Sequence, residues 1–152
     1  MSNINYKIPK AEIKVDILLD YRQNPGTEEY ILFLDEVSRY RKGRETLYEF
    51  LNKKKQNQFV PMKKCSSGEF VILNLADIVY VKEKEAFSTP SPQKVLLYFK
   101  DRQLEVGHIN PLPDSQARVL DYLNQDVQFI LFYHDERKMF VNKNKILKAQ
   151  ED

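Results

Sequence analysis

The sequence predicts an α+β fold dominated by strands, built as a tandem duplication of a ββαβββ unit with one short helix per copy. Three observations carry this reading. Short stretches with apolar residues at alternate positions, the period of a strand, recur along the chain and are broken by polar turns. Two helical segments, Thr46-Leu-Tyr-Glu-Phe-Leu-Asn52 and Arg118-Val-Leu-Asp-Tyr-Leu-Asn124, place an acid, an aromatic, Leu and Asn in the same order. Each is followed by a Phe-to-Phe interval of eleven residues, Phe59 to Phe70 and Phe129 to Phe140, then by an apolar-Asn step with Ile four residues on, at Leu73-Asn74/Ile78 and Val141-Asn142/Ile146. A two-residue indel before the Asn is the one adjustment the alignment needs.

In the first copy, strands are expected near Ile13 to Leu19, Tyr30 to Leu34, Phe59 to Met62, Phe70 to Leu73 and Ile78 to Val81. Asn24-Pro25-Gly26 and Ser66-Ser67-Gly68 supply the turns. Thr46 and Glu49 have the spacing of a capping box, in which each side chain satisfies the other's backbone N–H, so the helix should start there and end near Asn52. Residues 83 to 93, with Ser88-Thr89-Pro90-Ser91-Pro92, read as an exposed linker. The boundaries that follow are a first unit at 1–85, a linker at 86–93 and a second unit at 94–152.

The second copy repeats the order, with strands near Lys94 to Phe99, Leu104 to His108, Gln128 to Phe132, Met139 to Val141 and Lys145 to Leu147, and His134 to Arg137 as a turn. Pro113-Asp114-Ser115 offers capping oxygens before the second helix. Each unit is too small to bury much apolar surface alone, so the two are expected to share a core, or to dimerise, through Phe33, Phe50, Phe59, Phe99, Tyr122 and Phe132.

Composition narrows the function classes. With 152 residues, 42% hydrophobic and 30% charged, and only 4 glycines, the chain is neither disordered nor fibrous. The first ten residues lack an apolar core of the secretory type, and no window holds the roughly 18 apolar residues of a membrane span. One cysteine, Cys65, permits no internal disulfide and no CxxC pair. A reducing cytoplasm is the expected compartment, and no membrane partner is expected. Net charge is +2, but Arg39 to Lys64 holds nine basic residues against Glu45 and Glu49, an excess of seven that leaves the remainder at −5.

The search for chemistry is largely negative. No nucleophile elbow or Cys-His signature occurs, and His108 and His134 stand 26 residues apart. Asp114, Asp121 and Asp126 around the second helix suit capping and solubility better than metal, and Gly26, Gly43, Gly68 and Gly107 each stand alone, which excludes a phosphate-cradling loop. Cys65 sits beside Lys63 and Lys64, whose charge would favour a thiolate. Asn74 and Asn142 suit tight strand connections. The expected catalytic, cofactor and metal residues are therefore none.

The remaining lead is the basic stretch, where Arg39, Tyr40, Arg41, Lys42, Arg44, Lys53, Lys54 and Lys55 form a candidate binding face. The expected function is a non-enzymatic protein-interaction or adaptor and regulatory module, partnered by another protein or by a second copy of itself. The alternative is a nucleic-acid-binding regulator that uses the basic face at residues 39–64. An enzyme or small-ligand sensor with a pocket between the copies is the third reading.

Two resemblances bear on the second half. Val119, Leu120, Asp121, Tyr122, Leu123, Asn124, Phe129, Val141, Asn142 and Ile146 resemble small, uncharacterised bacterial β-rich proteins in which an LxDxLN-like helix leads to a strand and a VNxxxI step. Leu47, Phe50, Leu51, Asn52, Asn74 and Ile78 match it more loosely in the first half. This resemblance implies a bacterial, β-rich protein and brings no activity with it. The same tail is similar to the end of LytTR-type DNA-binding domains, which run from a helix to a strand and a VNxxxI step. Their basic strand pattern, Arg two residues before a His that is followed by a basic residue and Ser, is replaced here by Phe132-Tyr133-His134-Asp135-Glu136. The RxxxR and DxSxxG motifs of PilZ domains are absent around Arg39, Arg41 and Arg44.

Overall fold

The computed structural model describes residues 10–20, 26–53, 58–87, 93–100, 105–109 and 119–151. In chain order the elements are β1 (Lys10–Leu19), β2 (Glu28–Asp35), α1 (Leu47–Lys53), β3 (Phe59–Lys64), β4 (Phe70–Asn74), β5 (Ile78–Ala86), β6 (Gln93–Phe99), β7 (Glu105–Ile109), α2 (Val119–Leu123), β8 (Phe129–His134), β9 (Arg137–Asn142) and β10 (Ile146–Glu151). All ten strands join one antiparallel sheet in the order β10-β6-β7-β8-β9-β5-β1-β2-β3-β4. Among the described residues no helix is long and apolar enough to cross a membrane.

Each half of the chain lays its five strands in one order, fifth-first-second-third-fourth, giving β5-β1-β2-β3-β4 and β10-β6-β7-β8-β9. The halves meet where β5 pairs with β9, at Tyr80↔Val141, Val81↔Phe140 and Lys82↔Met139. Local details also coincide. Asn74 and Asn142 each cap a 3-10 turn, with Oδ1 accepting from Ala76 N and Asn144 N, and Ile78 and Ile146 close those turns. An extra residue bulges out of each fifth strand just after that Ile: Val79 against Leu18/Leu19, and Leu147 against Tyr98/Phe99.

The hairpin registers show where the two halves differ in length. Phe59 faces Asn74 and Pro61 faces Ile72 in the first half, while Phe129 faces Asn142 and Leu131 faces Phe140 in the second. The two additional residues lie in the turn after Lys64, whereas the second hairpin closes on Asp135 and Glu136, both at positive φ (52° and 56°). The register counterpart of Phe140 is therefore Ile72, two positions beyond the Phe70 that sequence spacing matches to it.

The apolar patterns follow from position in the sheet. Outer strands such as β2 and β6 alternate between buried and less buried residues, as strands covered on one face do. The middle strands carry unbroken apolar runs, Ile78-Val79-Tyr80-Val81 in β5 and Met139-Phe140-Val141 in β9, because both of their faces are covered. One core, on the α1 side, gathers Leu32, Leu47, Leu51, Met62, Ile78 and Val81 with Phe129 and Phe140 of the second half. The other gathers Leu97, Ile109, Val119, Ile130, Phe132 and Met139 with Leu18, Val79 and Tyr80 of the first half. Each core thus takes side chains from across the β5–β9 seam, and burying each large side chain contributes about 1.5–3 kcal/mol.

This partly alters the expected shared core. Phe50, Phe99 and Phe132 are buried and Tyr122 packs against the second core, but Phe59 is 60% exposed and Phe33 stacks on the exposed Phe70. Phe129, Phe140, Val79 and Tyr80 join the halves instead. Residues 83–86, expected in the linker, continue β5, and the Ser/Pro stretch 88–92 lies outside the described residues.

Candidate interaction surfaces

The first part of the basic stretch, Arg39 to Arg44, folds as a loop between β2 and α1. Ser38 N–H donates to Gly43 O (2.7 Å), Gly43 takes φ +107°, and Glu45 N–H returns to Asp35 O (3.0 Å), which closes the loop over the helix start. The expected capping box forms: Thr46 N–H donates to Glu49 Oε1 (2.8 Å) and Glu49 N–H to Thr46 Oγ1 (3.1 Å). Glu49 also accepts from Ser38 Oγ (2.9 Å) and faces Arg41 at 3.6 Å. The hydrogen bond from the Thr46 backbone is the main cause holding its carboxyl below the usual range.

Two of the candidate cations are consumed in this scaffold. The Arg41 guanidinium donates to the carbonyls of Lys42 and Arg44 and pairs with Glu49. Lys53 reaches the buried Glu45 (2.5 Å) and Asp35 (3.2 Å); burial disfavours its charge, but these two carboxylates outweigh burial and raise its pKa. Arg39, Lys42 and Arg44 stay exposed around Tyr40 and make no ion pair among the described residues. Lys54 and Lys55 lie outside the described residues.

Beside this loop a groove of about 770 Å³ runs across the seam between the halves. Ile13, Leu131 and Phe140 supply apolar floor, and Glu83, Lys138 and Arg44 supply opposed charge. Burial pushes the Glu83 carboxyl up, Lys138 opposes this, and Glu85 adds to it.

The sheet ends differ sharply. On β3 and β4 the face turned away from the α1 core presents Phe59, Pro61, Phe70 and Ile72, with Phe70 and Ile72 each 70% exposed. Phe33 stacks on Phe70 at 6.0 Å, and Lys63 lies 5.9 Å from the same ring, so these side chains form one apolar patch beside an edge. The β2–β3 ladder pairs only Tyr30↔Lys64 and Ile31↔Lys63, and Pro61, which has no N–H to donate, lies just beyond the point where it stops. At the opposite edge β10 carries the exposed Leu147 among Lys148, Gln150 and Glu151, polar residues of the kind that limit non-specific pairing.

Comparison with protein-family models, with curated proteins and with solved structures finds no match to this chain.

The other singled-out residues are dispersed. His108 on β7 sits opposite Tyr133, so His134, the next residue on β8, points to the other face of the sheet. His134 Nδ1 lies 2.5 Å from Nζ of the buried Lys82, which also meets Asp135 at 3.4 Å. Among the described residues no three His, Cys, Asp or Glu side chains converge as metal ligands. Asp121 lies in the first turn of α2, Asp126 follows the helix, and Asp114 lies outside the described residues. Cys65 reverses its expectation: burial first, then the Glu29 carboxylate, push the thiol up, and Lys64 turns instead to Glu28 (3.1 Å).

Sequence reasoning missed the β3/β4 patch. Phe59, Pro61, Phe70 and Ile72 were legible as alternate strand positions, but nothing local distinguishes an alternate set that is covered from one that is left open.

Proposed function

We propose that the chain is a tandem duplication of one β-rich unit and acts as a non-enzymatic protein-interaction module that docks through the apolar β3/β4 edge. The observation that carries this is the exposed row Phe59, Phe70 and Ile72 beside an edge strand that has no neighbour on its outer side among the described residues. Such an edge offers backbone hydrogen bonds for affinity and alternate side chains for specificity, the mode by which an extended segment adds to a sheet. The shared strand order, the matching Asn-capped turns and the matching bulges support the duplication.

A crosslinked pull-down from nuclease-treated native lysate, with Ile72→Lys and an Arg39→Glu/Lys42→Glu double variant beside the natural chain, tests this reading. The expected result is a nuclease-insensitive protein partner that Ile72→Lys loses and the double variant keeps. A partner indifferent to Ile72→Lys would overturn it.

The nucleic-acid reading rests on Arg39, Lys42 and Arg44, which stay exposed around Tyr40. Binding by phosphate contact would weaken steeply with salt and vanish in the same double variant.

A further inference from the structure

We propose that copies of this chain join head to tail, β4 of one copy pairing with β10 of the next, by repeating between chains the junction that β9 and β5 make within one. The inference rests on the duplication and on the docking edge proposed above, and names the partner as a second copy.

The strand order makes the argument. Within the chain, the fourth strand of the second half (β9) pairs with the fifth strand of the first half (β5). The fourth strand of the first half (β4) and the fifth of the second (β10) are the two ends of the sheet. They are the only fourth and fifth strands among those described that lack this partner. Carrying the β5–β9 register across by the Asn-capped turns sets Lys148 opposite Leu73, Ala149 opposite Ile72 and Gln150 opposite Val71 of the neighbouring copy.

The side chains around the internal seam have counterparts left bare at the ends. At the seam Phe129 and Phe140 are buried, and the bulged Val79 is 1% exposed. Their counterparts at the ends, Phe59, Ile72 and Leu147, are 60%, 70% and 63% exposed. Helix α1 covers the seam by resting Tyr48 on Phe140 (ring centroids 6.1 Å apart) and by bonding Asn52 to the Phe129 backbone. In α2 the matching positions are Leu120, which is 53% exposed, and Asn124, also exposed. Five of the eight large hydrophobic residues exposed among the described residues (Phe59, Phe70, Ile72, Leu120 and Leu147) therefore sit on the two surfaces that this one operation would bring together.

A contact of this kind is heterologous, since each copy offers one end and uses the other, so it builds rings or open filaments rather than a closed symmetric dimer. Sedimentation velocity over a concentration series, with circular dichroism to confirm folding of each variant, tests it. The natural chain should grow beyond a dimer as concentration rises. Ile72→Asp should block one end and Leu120→Asp/Leu147→Asp the other. Each alone should be monomeric, with association weakened roughly a hundredfold or more by a charge placed in the contact. Mixed in equal amounts, the two variants should form a one-to-one dimer through their intact ends and stop there. A natural chain that stays monomeric overturns the inference, as does a Leu120→Asp/Leu147→Asp variant that dimerises alone through β4. If the chain is monomeric but Ile72→Lys still loses a captured partner, the docking edge stands and only self-assembly fails.

Discussion

Asn52 treats Phe129 as one strand treats its neighbour: its Nδ2 donates to Phe129 O at 3.0 Å and its Oδ1 accepts from Phe129 N at 2.8 Å. The pair is 77 residues apart in sequence and fastens the first helix onto the second half of the sheet.

Asn52→Ala is expected to destabilise the fold by about 1–3 kcal/mol, because it leaves a part-buried N–H and C=O without their partner. Asn124→Ala, at the exposed matching position just after α2, should stay within about 0.5 kcal/mol in the isolated chain. Urea unfolding of both variants checks the contrast, and equal effects would show that the Asn52 bonds contribute nothing special.

Asn142 does more than Asn74. Both cap a 3-10 turn, but the fully buried Asn142 also donates to Ile78 O (2.9 Å) and lies near Ala76 O (3.3 Å) and Leu75 O (3.4 Å), all in the first half. Asn142→Ala should therefore cost about 2–4 kcal/mol, against about 1 kcal/mol for Asn74→Ala as the loss of a cap alone. Thermal unfolding of the two variants side by side reads the difference.

Gly107 on β7 has no space for a side chain. A Cβ there would lie 2.9 Å from Phe132 Cδ1 and 3.3 Å from Leu97 Cδ1, so Gly107→Val must displace the second core. A loss of about 1–3 kcal/mol is expected from the overpacking. Gly26, where an added Cβ would meet no described atom within 4 Å, is the control position, and Gly26→Ala should change little.

Asp16 ties three strands together, accepting from Lys84 of β5 (2.8 Å) and Arg137 of β9 (3.0 Å). Burial would raise its pKa, but the hydrogen bonds from Lys84 and Arg137 outweigh burial and hold the carboxyl below its ordinary 3.8. A carboxyl depressed in the folded state contributes stability that is present above the unfolded value and is lost as pH falls through the folded one. Asp16→Asn should therefore weaken the fold at neutral pH, and the gap from the natural chain should narrow as pH drops below about 4. Denaturant midpoints across that range check it, and a gap that is constant with pH would exclude the ion pairs as its cause.

Much of the fold is legible in the chain because strand and turn signals are local. Alternation at period two, the capping box of Thr46 and Glu49 and the Asn-xxx-Ile steps each arise from neighbouring residues, and each appears where expected. The unbroken run Ile78-Val79-Tyr80-Val81 even carried a sign of two-sided burial. The basic stretch was equally visible, but its partners were not: Arg41 and Lys53 stand out as charges in sequence, and the loop closure spends them on Glu49, Glu45 and Asp35.

From the residues alone come the β-dominated class, the strands and the start of the first helix, since backbone conformation and side-chain alternation are set over a few positions. Which strand becomes a neighbour of which is a matter of contacts across tens of residues, and only the packed sheet decides it. That step makes β9 the partner of β5, buries Phe129 and Phe140 under α1, and leaves Phe59 and Ile72, at the matching places in the first half, facing water at the edge.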